Sequence, residues 1–175
     1  FGDWSSDVCS SDLFEIARSR GMDGQLFVEG DGPLRSMCEI IRSRSQFMDS
    51  IHLLGNVSSV EARRLLAESD IFTAHNIEGE ITRQSECFGV SVLEAMSYGV
   101  PVVGTIHGGV LESVVNGETG LLNEPGDVEA QANSFIELAN NPDLRQQMGE
   151  AGRRRVAENF SPEQERARLV QIMGL

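Results

Sequence analysis

Two glutamates, Glu86 and Glu94, stand with seven residues between them in Ser85-Glu86-Cys87-Phe88-Gly89-Val90-Ser91-Val92-Leu93-Glu94-Ala95-Met96. Vicinal hydroxyls are good donors to a carboxylate, so such a pair suits a sugar or a ribose. Glu86 reads as part of a polar loop before a glycine-containing helix start. Glu94 reads as lying inside an apolar helical run of Val90, Val92, Leu93, Ala95 and Met96. A carboxylate there costs free energy unless something hydrogen-bonds it. Taken singly, each favours the bland reading, Glu86 as a solvated loop residue and Glu94 as one on an exposed helix face; the pair in this context reverses that and points to a site. Gly99 predicts a helix stop, and Pro101-Val102-Val103 the start of a buried strand. Loop, helix N-terminus and strand in that order is how α/β proteins hold phosphorylated ligands on free helix N–H groups.

The elements that must position these residues follow a regular alternation. Strands are predicted over 25–28, 51–54, 70–74 and 101–104, with a short edge strand over 120–122. Between them lie helices over 34–44, from Ser58 or Ser59 onward with Glu61 near its third position, over 88–98, and a short one over 111–115. Amphipathic helices follow over 127–140, 142–158 and 161–173, the last with Pro162 at its first position after Ser161. Residues 75–86 form a polar loop long enough to suggest function rather than connection. Strands alternating with helices through short loops predict an α/β fold with a doubly wound parallel sheet.

Gly30-Asp31-Gly32 follows the first strand and is half of a dinucleotide fingerprint, but the spacing fails at Arg35. His52 reads as a structural strand residue. His75 and His107 fall at strand carboxyl ends, and neither has a partner by spacing. The Arg153-Arg154-Arg155 run reads as a solvated face pairing with Glu150 and Glu158.

All fourteen basic residues are arginine, and the net charge is −13. Long-range electrostatics therefore disfavour nucleic acid and anionic membranes, and an anionic ligand must be held locally by amides and a few Arg side chains. Cys38 and Cys87 lack metal spacing and predict a reducing, cytoplasmic setting. No apolar run approaches the length of a membrane span.

Residues 1–13 fit nothing after them. The segment from Asp3 to Leu13 has no helical or strand period and contains the single Trp. It back-translates to a common short-read sequencing adapter, so we expect a non-native segment fused in frame, with the native domain over 14–175. Setting aside Asp3, Asp7 and Asp12 leaves a net charge of −10. The next residues, 14–21, read as a helix end closed by Gly21.

From about Phe14 onward the chain resembles glycosyltransferase family 4, whose members are retaining, nucleotide-sugar-dependent enzymes of GT-B fold. The resemblance rests on the two glutamates with their seven-residue spacing. It extends through Val28-Glu29-Gly30-Asp31-Gly32-Pro33-Leu34, Gly104-Thr105-Ile106-His107-Gly108-Gly109, Asn116-Gly117-Glu118-Thr119-Gly120 and Pro125-Gly126-Asp127. It implies the C-terminal, Rossmann-like, donor-binding domain, with the N-terminal acceptor domain, the first central strand and the donor-clamping Arg and Lys absent from this sequence.

By the same resemblance, Glu86 contacts donor-sugar hydroxyls and is the catalytic-site carboxylate. The backbone of Cys87, Phe88, Gly89 and Val90 faces sugar and phosphate, and Glu94 holds the ribose. Gly30 and Val57 lie beside the nucleoside. The implied partner is a UDP- or GDP-sugar, with no cofactor and no metal, since no Asp-x-Asp occurs. Any peripheral membrane association would come through the N-terminal domain. A sugar-nucleotide epimerase or a sugar phosphorylase shares this geometry, and a non-catalytic nucleotide-binding module is the non-enzymatic alternative. Loss of the first strand predicts either direct pairing of the strands over 25–28 and 70–74 or a gap in the sheet.

Overall fold

The computed structural model describes residues 10–32, 35–74 and 89–161. Glu86, Cys87, Phe88 and His75, the loop expected over 75–86 and the helix expected over 161–173 lie outside these residues. The described elements run α1 (Ser10–Ser19), β1 (Leu26–Glu29), α2 (Arg35–Arg44), β2 (Ile51–Gly55), α3 (Ser59–Glu68) and β3 (Phe72–Ala74). They continue α4 (Val90–Ser97), β4 (Val102–Thr105), α5 (Val110–Ser113), β5 (Gly120–Asn123), α6 (Val128–Asn140) and α7 (Pro142–Asn159).

Every strand pairing is parallel, as the alternation of strands and helices predicts. The described strands do not form one sheet, however. β1 pairs with β2, and separately β3, β4 and β5 pair in that order. Among the described residues β1 and β3 do not pair, so a gap separates the two sets of strands. Helix α6 spans it from one face: Phe135 packs both on the α1/β2 cluster of Phe14, Ala17, Met22 and Ile51 and on the cluster of Val103, Leu138 and Met148.

Strand β4 anchors the larger half. All four of its residues are buried. Adjacent strand residues face opposite sides, and accordingly Val102 packs with Val92, Met96, Val110, Val114 and Leu122, while Val103 joins Leu138 and Met148. Helices α4 and α7 cross so closely that a Cβ on Gly149 would lie 1.9 Å from the Gly99 carbonyl oxygen. Only glycine fits there.

Two helix ends match the glycine stops. At α1, Met22 N–H donates to Ala17 O and Gly21 N–H to Arg18 O, with Gly21 at φ 94°. At α4, Val100 N–H donates to Ala95 O and Gly99 N–H to Met96 O, with Gly99 at φ 77°. Both are Schellman caps, which require the left-handed conformation that glycine adopts without strain.

Two expectations are corrected. Helix α1 begins at Ser10, inside the segment that has no sequence periodicity, and Leu13 is fully buried. A single turn is too short for periodicity to register, so burial recruited it. Arg155 does not lie on a solvated face. Its Nε donates to Ser113 O at 2.7 Å and Nη2 to Glu112 O at 2.7 Å, capping the end of α5.

Candidate functional site

Parallel strands bring their carboxyl ends to one edge, where open α/β sheets bind ligands. At the end of β1, Gly30 takes φ 131°, and its N–H donates to Gly55 O at 3.0 Å, which ties this turn to the end of β2. Asp31 Oδ1 accepts from Gly32 N–H at 2.9 Å, and Arg35 N–H donates to Gly32 O at 3.0 Å. The Gly-x-Gly turn is thus locked at both ends before α2 starts.

The β2 turn runs through half-buried Val57 to Ser58. Ser58 caps α3, accepting from Glu61 N–H at 3.2 Å through its Oγ. The structure therefore brings Gly30 beside the start of the turn that carries Val57.

In the other set of strands, β4 ends in buried Thr105 and the His107-Gly108-Gly109 turn, with Gly108 at φ 56°. Helix α4 starts from buried Gly89, which has no side chain with which to cap it. A Cβ on Gly89 would meet Val92 Cγ2 at 3.0 Å, so the helix start is closely packed on its own first turn. The first-turn N–H groups of a helix have no intrahelical acceptor and carry the positive end of its dipole. At α4 those groups belong to Val90 and its successors.

Glu94 departs from expectation. It is exposed, not enclosed by apolar neighbours. Val92, Ala95 and Met96 form the buried stripe of α4, and Val90, Glu94 and Ser97 share the opposite, exposed one. The helix is apolar nearly all round, so the identity of its residues does not reveal which stripe is inward. An exposed carboxylate needs no internal partner and is open to a ligand.

Arg35 was not singled out from the sequence. It lines a recess with Val28, Gly30, Gly32, Leu53 and Gly55. Its signal in the sequence is the i,i+4 spacing to Glu39, an ion pair that the structure contains. His52 is structural, as expected, and stacks on Phe27 with ring centroids 4.8 Å apart. Two acids are shifted: hydrogen bonding from Arg18 lowers Asp23, and hydrogen bonding from Arg64 lowers Glu61.

The family model for glycosyl transferases group 1 matches residues 12–155. The chain is 35% identical over 144 residues to N-acetyl-alpha-D-glucosaminyl L-malate synthase of Bacillus anthracis, which is 81% of this chain and 35% of that protein. It is 33% identical over 153 residues to the GDP-mannose-dependent monoacylated alpha-(1-6)-phosphatidylinositol monomannoside mannosyltransferase of Corynebacterium glutamicum, covering 86% of this chain and 39% of the relative. The fold is similar to Anabaena HepE in complex with UDP-glucose, with TM-score 0.78 at 19% identity, covering 99% of this chain and 46% of that one. The chain spans less than half the length of each of these proteins. The Rossmann-like α/β half of a GT-B architecture, expected from the sequence, is the fold observed.

Proposed function

This chain belongs to the glycosyl transferases group 1 family, and on that premise we propose that it is the donor-binding half of a retaining family 4 glycosyltransferase that uses a UDP- or GDP-sugar. The observation that carries this reading is the Gly30 turn, tied through Gly55 to the β2 turn that bears Val57 at the carboxyl ends of two parallel strands, together with an α4 start at Gly89 that has no side-chain cap. The turns suit a nucleoside. The α4 N-terminus, whose first N–H groups have no intrahelical acceptor, suits a diphosphate.

Glu94, exposed on α4, accepts the ribose hydroxyls, and Glu86 accepts hydroxyls of the donor sugar. The backbone from Cys87 and Phe88 to Gly89 and Val90 runs along sugar and phosphate. As the sugar–phosphate bond breaks, negative charge grows on the diphosphate. Fixed amides stabilise that charge without reorganising. No metal is needed in this scheme, and the chemistry is cytoplasmic. UDP-glucose in the Anabaena complex and GDP-mannose in the Corynebacterium name support a nucleoside-diphosphate sugar of either base.

Proton NMR of the anomeric signal tests the reading. The full-length protein that carries this chain, given UDP- and GDP-sugars, is expected to release nucleoside diphosphate while the first-formed sugar product keeps the donor's anomeric configuration. Inverted product refutes retention, and no turnover of either donor class refutes the donor assignment.

A further inference from the structure

Asn116-Gly117 stands in the turn between α5 and β5, and the nucleotide-sugar reading leaves it unused. Asparagine is chemically labile, and most so before glycine, where no side chain shields the main-chain nitrogen that attacks its carboxamide. Nothing lies within 4 Å of where a Cβ on Gly117 would stand, and Asn116, Gly117 and Glu118 are exposed. Water and hydroxide therefore reach the pair. The fold nevertheless engages both partners of the reaction. Asn116 forms an isolated parallel bridge with Gly120, along the edge of β5 that does not face β4. There Gly117 N–H donates to Gly120 O at 2.8 Å, and Asn116 Oδ1 accepts from Leu122 N–H at 2.9 Å. Buried Thr119 closes the loop, its Oγ1 accepting from Val115 N–H at 2.9 Å. Asn116 thus covers main-chain groups of β5 that a bare edge would leave unpaired.

We propose that Asn116 is a deamidation site gated by the opening of this edge. Hydroxide takes the Gly117 N–H proton, and the nitrogen bonds to Asn116 Cγ. The bond from Cγ to Nδ2 breaks, ammonia leaves, and a cyclic imide remains. Water then opens either carbonyl of the ring, giving aspartate or the isomer whose main chain runs through the side-chain carbon. In the closed turn Gly120 O holds the proton and Leu122 N–H holds the carboxamide, so neither is free to react. Parting of Asn116 from β5 releases both at once. The isomer carries an extra methylene in the main chain before Gly117, so the bridge to Gly120 does not re-form in register and the edge of β5 stays bare. The chemistry requires no ligand.

Peptide mapping by mass spectrometry tests this on the full chain held at mildly alkaline pH, native and urea-unfolded samples side by side. In urea, Asn116 is expected to convert to both isomers. In the native sample it should convert more slowly by about tenfold or more, because only the opened fraction reacts. Thr119→Val removes the acceptor of Val115 N–H and should speed native conversion roughly two- to tenfold, with the rate in urea unchanged. Equal rates in native and urea samples overturn the gate, and no conversion in urea overturns the site. A native Thr119→Val rate equal to wild type overturns the part played by the loop. If Thr119→Val does not fold, wild type in urea below its unfolding transition replaces it. Conversion that rises there, ahead of global unfolding, supports a local gate, and conversion that rises only with global unfolding overturns it.

Discussion

The β3–β4–β5 half and the β1–β2 half pair their strands in the same parallel sense but differ in how they are covered. Around β4, apolar side chains pack on both faces, with α4, α5 and α7 contributing on one side and α6 and α7 on the other. Around β1 and β2, one face packs on α1 and α6, while the other exposes Phe27, stacked on His52, at 48%. Helix α3, which follows β2, has no buried residue. Parallel sheets are ordinarily covered on both faces. The difference teaches that the half built on β4 is covered on both faces of its strands, whereas the half that carries the Gly30 and Val57 turns leaves one face partly open.

The largest effect expected from that contrast is at Gly149. Gly149→Ala drives a methyl into the Gly99 backbone and parts α4 from α7. It should cost about 3 kcal/mol or more in urea unfolding. A wild-type midpoint would mean that this crossing does not hold the larger half together.

Next comes a matched pair of truncations. Met96 is fully buried, so Met96→Ala should destabilise by roughly 2–5 kcal/mol, while Phe27→Ala on the open face should cost about 1 kcal/mol or less. Hydrogen exchange extends the same comparison, with the amides of β1 and β2 expected to exchange before those of β4. Equal costs, or equal protection, would erase the distinction between the halves.

Legibility of these features in the sequence followed locality. The caps at Gly21 and Gly99 and the Ser58 cap of α3 were readable because each depends on residues within one turn. The buried β4 strand was readable from its Val102-Val103 run. The gap was anticipated only as one of two outcomes. The outward stripe of Glu94 was hidden because Val90, Val92, Leu93, Ala95 and Met96 blur the helical period. Arg155 was misread because its carbonyl partners lie 42 and 43 residues away. Of the candidate site residues, Gly30, Val57, Gly89 and Glu94 lie among the described residues, and the contact of Arg35 with Gly55 was not legible because it is tertiary.

The smallest effect concerns α3 on the open half. Arg64 hydrogen-bonds Glu61 and holds its carboxyl below the ordinary range. A lowered folded-state value contributes stability above the ordinary carboxylate range and loses it as pH falls through the lowered value. Arg64→Ala should therefore lower Tm slightly at neutral pH, because the pair is exposed, and the gap from wild type should close on acidification. A gap that widens at low pH would contradict the assignment.

The most direct test of the donor-site account is titration of Glu94→Gln with free nucleoside diphosphate in the full-length protein. Because Glu94 is exposed and outside the buried stripe of α4, the substitution should leave the melting curve unchanged. Loss of a charge-assisted hydrogen bond to the ribose should weaken affinity by about tenfold to a hundredfold. Affinity equal to wild type, for a protein that still binds the diphosphate, would contradict the central claim that α4 presents its carboxylate to the nucleotide.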